Sequence, residues 1–163
     1  MKPIKVLLIG YGNPGRQDDG LGPACASIME SQGIRNLDVE SNYQLVVEDS
    51  TVLAEHDVVV FVDASKDCNP PFEISSIPPE FTSSFSSHIL DPQTLLATTK
   101  HLFGKHPAAY LMQIRGYYFD EFYEQLSLEA KENLKKAVAF LIDFIYSKMG
   151  IQLELGEKSE PFN

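Results

Sequence analysis

Val58-Val59-Val60-Phe61-Val62 is an unbroken run of β-branched and aromatic residues, the strongest strand signal in the chain. Runs of this kind belong to parallel strands covered on both faces, since a strand with one wet face alternates apolar and polar residues. Working outward, Val6-Leu7-Leu8-Ile9-Gly10 reads as a second short buried strand, ended by glycine. Residues 20–30 space Leu21, Ala24, Cys25, Ile28 and Met29 as a helix, with Pro23 in its first turn and Gly33 just past its end. Residues 38–45 alternate as a weaker strand, and a short helix follows over 48–55. Residues 72–77 fit an edge strand bracketed by Pro70-Pro71 and Pro78-Pro79. Asp91 as N-cap, Pro92 at N1 and Gly104 after Phe103 punctuate a helix over 91–103, and 108–114 reads as the last strand. Residues 127–149 predict a long amphipathic helix with Leu134, Val138, Leu141, Ile145 and Met149 on one stripe.

Strands alternate with helices throughout, which predicts an α/β fold. The expectation is a single domain over residues 1–155, with a mainly parallel twisted sheet of about five strands and helices on both faces. Residues 156–163 read as a polar, flexible tail. In such sheets ligands bind outside the carboxyl ends of the strands. The residues just after Gly10 and Val62 therefore carry the interest.

Composition narrows the partners. A chain of 163 residues suits one domain, and its 44% hydrophobic content is enough for a real core. Thirteen Lys and Arg against 23 Asp and Glu give a net charge of -10. That argues against nucleic acid and against an anionic membrane surface, both of which need clustered positive charge. Cys25 and Cys68 make neither a metal-type spacing nor a disulfide scaffold. The apolar run near the start is too short for a signal peptide or a membrane span. A soluble, cytoplasmic protein is expected.

Gly10-Tyr11-Gly12-Asn13-Pro14-Gly15 matches the dinucleotide pattern G-x-G-x-x-G directly after a strand. In a nucleotide site the following helix offers bare N–H groups and its positive end to a pyrophosphate. Here Asp18 and Asp19 stand where the phosphates would sit, and their repulsion outweighs the dipole's contribution of about 0.3–1 kcal/mol. The alternative is that the glycines simply permit a tight strand-to-helix turn.

Three residues are candidate ligands. Asp19, at the entrance to the first helix, reads on its own as a helix cap. Asp63, following Val62, reads either as a loop cap or as a site carboxylate. His88, in the loop before Asp91, is on its own an ordinary surface histidine. Together they read differently. Both acids belong to carboxyl ends of strands that a right-handed connection can make neighbours. Two carboxylates and an imidazole form an open set, with positions left for water or substrate and only modest affinity for a divalent ion. His56, His101 and His106 sit in polar contexts or at helix ends. No nucleophile elbow or activated cysteine is present. Met112, Gln113, Arg115 and Gly116, at the exit of the last strand, are candidates to line the same crevice.

Gly10-Tyr11-Gly12-Asn13-Pro14 followed by Asp18-Asp19-Gly20-Leu21-Gly22-Pro23 resembles the opening motif of the [NiFe]-hydrogenase maturation endopeptidases. The resemblance continues through Tyr43-Gln44-Leu45, Val62-Asp63-Ala64, Ser87-His88, Asp91-Pro92, Leu95-Leu96, Phe103-Gly104, His106-Pro107, Arg115-Gly116 and Leu126-Ser127. It implies a hydrolase, of nickel-dependent aspartic or metallo type, that removes the C-terminal extension of the hydrogenase large-subunit precursor after nickel insertion. It further implies that Asp19, Asp63 and His88 contact nickel supplied by the substrate, an ion the free enzyme does not hold tightly. Gln44 would be a supporting contact. Where many relatives carry two adjacent histidines, this chain has Ser87-His88. Residues 117–125 depart most from the family pattern. Two other readings compete: a non-catalytic module that binds the hydrogenase subunit, and a dinucleotide-binding oxidoreductase.

Overall fold

The computed structural model describes residues 2–82 and 90–151. Along them run β1 (Val6–Tyr11), a 3-10 turn (Gln17–Gly20), α1 (Leu21–Ser31), β2 (Leu37–Asn42), α2 (Asp49–Ala54), β3 (Val58–Ser65), β4 (Phe72–Ile77), α3 (Pro92–Phe103), β5 (Ala108–Arg115) and α4 (Leu128–Lys148). The five strands form one sheet in the order β2-β1-β3-β5-β4. The first four are mutually parallel, and β4 closes the edge antiparallel to β5. The expected α/β architecture is the one observed, and β1 and β3 are direct neighbours at its centre. Two expectations fall outside the described residues: the tail over 156–163 and the position of Ser87-His88.

The unbroken apolar runs are explained by two core layers. Val6, Leu8, Val58, Val60, Val62, Met112 and Ile114 pack against α1 and α4. Leu7, Ile9, Val59, Phe61 and Ala109 face the other way, onto Leu53 of α2 and Leu95 and Leu96 of α3. Alternate residues of β1 and β3 thus serve opposite layers, and each large apolar side chain buried this way contributes about 1.5–3 kcal/mol. The helix punctuation is realised in full at α3. Asp91 accepts a hydrogen bond from the Thr94 amide at 2.7 Å, Pro92 opens the helix and Gly104 ends it in the left-handed region.

Two boundaries differ from the sequence reading. β3 does not stop at Val62 but continues through Asp63 to Ser65, because β5 stays paired with it as far as Ser65 and Arg115. β2 ends at Asn42, opposite the last residue of β1, so Tyr43 and Leu45 lie beyond the ladder. Leu45 instead plugs the core layer beneath α2 and α3.

Glycine matters most where α1 crosses β1. A Cβ on Gly10 would stand 2.1 Å from the Gly22 carbonyl oxygen, and one on Gly22 would stand 2.3 Å from the Tyr11 oxygen. The two backbones touch, so neither position tolerates a side chain without moving the helix off the sheet. Among the described residues, no helix is long and apolar enough to cross a membrane.

Candidate functional site

Side chains alternate along a strand. Asp63 therefore shares the face of Val59 and Phe61, Tyr11 that of Leu7 and Ile9, and Gln113 that of Ala109 and Leu111. Asp63 and Gln113 are paired in register. The three side chains form a polar row across the carboxyl ends of the central strands, just above the layer covered by α2 and α3. The Tyr11 hydroxyl hydrogen-bonds to the Asp63 carboxyl group. The Ala64 amide donates to Asp63 Oδ1 at 2.8 Å.

Burial pushes the Asp63 carboxyl up to about 7, and the negative charge of Asp19 adds to the rise. The hydrogen bonds from Ala64 and Tyr11 oppose it without cancelling it. The Tyr11 phenol is itself pushed well above its ordinary value, by burial first and then by Asp63 and Asp91, so it remains a neutral donor. Leu90, just before α3, packs on the same core layer as Tyr11.

Asp19 lies in the 3-10 turn and caps no helix. Its Oδ2 accepts the Asn13 amide at 2.9 Å, closing the loop back on itself. Gly12, at φ +143°, permits this closure, because a Cβ there would stand 2.1 Å from the Asp19 carbonyl oxygen. The loop is not a phosphate cradle. Every amide over residues 12–19 already has an acceptor within the chain. Gly12 donates to Asn42 O, Arg16 to Asn13 O, Gln17 to Tyr123 O, Asp18 to Tyr118 O and Asp19 to Arg16 O. Asn13 and Gly15 donate to the side chains of Asp19 and Asn13. Bare N–H groups are what a pyrophosphate requires, and none is left between Gly12 and Asp19.

Asp18 has a separate task that the sequence reading missed. It is fully buried. Its Oδ2 accepts from the Tyr117 amide at 2.8 Å, the Tyr118 amide at 3.1 Å and the Ser127 hydroxyl at 2.8 Å. Its Oδ1 accepts from the Ser127 amide at 2.8 Å. Ser127 in turn caps α4 by accepting from the Ala130 amide. One carboxylate thus ties the turn after β1 to the whole segment between β5 and α4. Two adjacent acids look alike in a sequence; the signals within reach were the distant Gly116, which packs under the Asp18 Cβ, and the Ser127 cap.

The remaining candidates sort as follows. His88 lies outside the described residues, but the two flanks of 83–89 do not. The Thr82 hydroxyl donates to Asp91 and its amide to Thr94 Oγ1 at 3.2 Å, while Leu90 packs on the layer beneath α3. Both flanks therefore sit at the start of α3. Among the described residues, no three His, Cys, Asp or Glu side chains converge as a metal-holding group. Of the four residues at the exit of β5, only Gln113 joins the row. Met112 faces the opposite core layer, Gly116 is covered by Asp18, and Arg115 is engaged elsewhere. The Arg115 guanidinium donates to Cys68 O at 2.8 Å and lies 5.0 Å over the Tyr117 ring. Gln44 is exposed beyond β2. His56 is buried, with Nδ1 at 2.8 Å from Val52 O and Nε2 at 2.6 Å from Asp38, and ties α2 to β2 rather than serving a site. Both cysteines are buried free thiols, and burial pushes Cys25 up to about 12, away from any nucleophilic form.

No family model and no curated protein matches the chain by sequence. Solved structures do match. The hydrogenase maturating endopeptidase HybD of Escherichia coli superposes with a TM-score of 0.74 at 19% identity, covering 91% of this chain and 96% of that one. The [NiFe] hydrogenase maturation protease HycI of Thermococcus kodakarensis gives 0.67 at 20% identity, over 85% and 90%. The hydrogenase 2 maturation peptidase of a Thaumarchaeota archaeon gives 0.63 at 22% identity, over 91% and 99%. The chain has the fold of these hydrogenase maturation proteases along nearly its whole described length.

Proposed function

We propose that this chain is an endopeptidase that removes the C-terminal extension of a [NiFe]-hydrogenase large-subunit precursor once nickel has been inserted. The observation that carries the proposal is the pairing of Asp19 with Asp63. Asp63 lies at the carboxyl end of β3 and Asp19 in the turn that follows β1, and the negative charge of Asp19 acts on the Asp63 carboxyl group. They stand in a fold shared with endopeptidases of this kind. Nickel belongs to the substrate here, held by the precursor, and Asp19, Asp63 and His88 are the groups that meet it.

The local hydrogen bonds fit such a role. The Asn13 amide holds one oxygen of Asp19, and the Ala64 amide and the Tyr11 hydroxyl fix the carboxyl group of Asp63. Two neighbouring carboxylates, one retaining its proton up to about pH 7, form a site that a divalent ion relieves by displacing that proton. Positioning of the scissile peptide beside this pair supplies much of the rate. A water oxygen attacks the carbonyl carbon, a carboxylate accepts the water's proton, and the C–N bond breaks as the leaving nitrogen takes a proton. The substrate's nickel adds polarisation of the carbonyl.

Incubation of a large-subunit precursor, with and without nickel, tests the reading. Wild type should cleave only the nickel-loaded precursor, and His88→Ala, Asp63→Asn and Asp19→Asn should each lose about a hundredfold or more in rate. Unchanged cleavage by all three variants would overturn it.

A further inference from the structure

The segment over 117–125 is a surface that neither the fold nor the carboxylate pair requires. It reads Tyr117-Tyr118-Phe119-Asp120-Glu121-Phe122-Tyr123-Glu124-Gln125 and contains no Lys or Arg. Phe122 is 89% exposed, and Tyr118 and Tyr123 are more than half exposed. Aromatic side chains presented this openly on a small protein mark contact surfaces rather than solvated loops. The segment is nevertheless firmly held. Asp18 pins its start and Ser127, two residues past its end, and Tyr123 pairs in both directions with the turn, its amide donating to Gly15 O and its carbonyl accepting from Gln17. A surface already ordered before binding loses little entropy on binding.

We infer that this segment docks an extended, arginine- or lysine-bearing stretch of the precursor protein. The inference rests on the endopeptidase reading for the identity of the partner, and on the chemistry of the segment for the charge of the stretch. Asp120, Glu121 and Glu124 are exposed and have no ion-pair partner among the described residues. They alternate with aromatic faces, which attract cations through the ring quadrupole. The protein already uses that contact once within the segment, where the Arg115 guanidinium lies 5.0 Å over Tyr117. A groove of about 270 Å³ runs alongside, with Glu124, Gln125 and Leu126 on one wall and Pro14, Gln17 and Pro23 on the other. Gln17 belongs to the turn that carries Asp19, so the groove is built on the same turn as one of the two carboxylates.

The test uses the full chain and a fluorescein-labelled Gly/Ser peptide carrying three arginines, compared by fluorescence anisotropy with the same peptide carrying three glutamines. Wild type should prefer the arginine peptide by about tenfold, and added salt should shrink the preference. Phe122→Ala and the triple variant Asp120→Asn, Glu121→Gln, Glu124→Gln should each abolish it; all four side chains are exposed, so the fold is retained. Equal binding of the two peptides, or a preference that survives both variants, overturns the inference. Dimerisation by sedimentation velocity that Phe122→Ala abolishes also overturns it, since the face would then belong to a second copy. In precursor cleavage both variants should raise KM with kcat unchanged. If wild type cleaves and the variants share its KM, the docking surface falls while the endopeptidase reading stands. If wild type cleaves no precursor yet the peptide preference holds, the endopeptidase reading falls and the basic-peptide surface stands.

Discussion

Replacing Asp63 with asparagine should make the protein more stable at neutral and alkaline pH while removing the carboxylate that the proposed chemistry needs. In the folded protein Asp63 keeps its proton up to about pH 7, whereas in the unfolded chain it releases it near its ordinary 3.8. Between those values the native state binds more protons than the unfolded state, so stability falls as pH rises through the window and stays depressed above it. Below pH 4 both states are protonated and no penalty remains. The difference corresponds to about 4 kcal/mol once the folded carboxyl has ionised. Asparagine retains an oxygen to accept from Ala64 and Tyr11 and carries no charge. Urea unfolding at half-unit steps from pH 4 to 8 should therefore show wild type losing stability toward pH 8 and Asp63→Asn holding it. For a chain of this size the gap amounts to roughly 10 °C in Tm at pH 8. Two profiles that run parallel across the range would refute the reasoning. Asp19→Asn provides an internal check, because removing its charge should lower the Asp63 pKa, read directly from carboxyl carbon NMR shifts.

Asp18→Ala strands the amides of Tyr117, Tyr118 and Ser127 together with the Ser127 hydroxyl, and should cost about 3–5 kcal/mol by denaturant unfolding. Gly10→Ala drives a methyl group into the Gly22 carbonyl, so soluble yield should collapse or Tm fall by roughly 10 °C or more. NAD and NADP should leave the thermal unfolding curve unmoved, because the loop amides that would hold their phosphates are occupied; clear stabilisation by either would reopen the dinucleotide reading.

The sheet was legible because its strands are buried on both faces, and a run such as Val58 to Val62 has no other comfortable home. The helix at Asp91 was legible because cap, proline and glycine are local signals that act within a few residues. Asp63 was found from its place at the end of such a run, although it belongs to the strand itself; only pairing with β5 decides where the ladder stops, and pairing is not local. Asp18 was not legible, since a 3-10 turn decides which of two adjacent carboxylates turns inward. Three of its four partners are backbone amides, which leave no trace in side-chain identity. Arg115 was misplaced for a similar reason: the carbonyl and the ring that hold it lie on separate loops.

The tie made by Asp18 also bears on the order of events in folding. Its partners lie 99 to 109 positions along the chain, so the bonds form only after β1, β3 and β5 have been brought together and a long loop closed. Contacts of that kind belong to the last steps of folding, and weakening them should speed unfolding while leaving the folding rate nearly unchanged. The aromatic segment and the turn bearing Asp19 are therefore expected to assemble together and late. A chain that has not finished folding therefore presents neither of them.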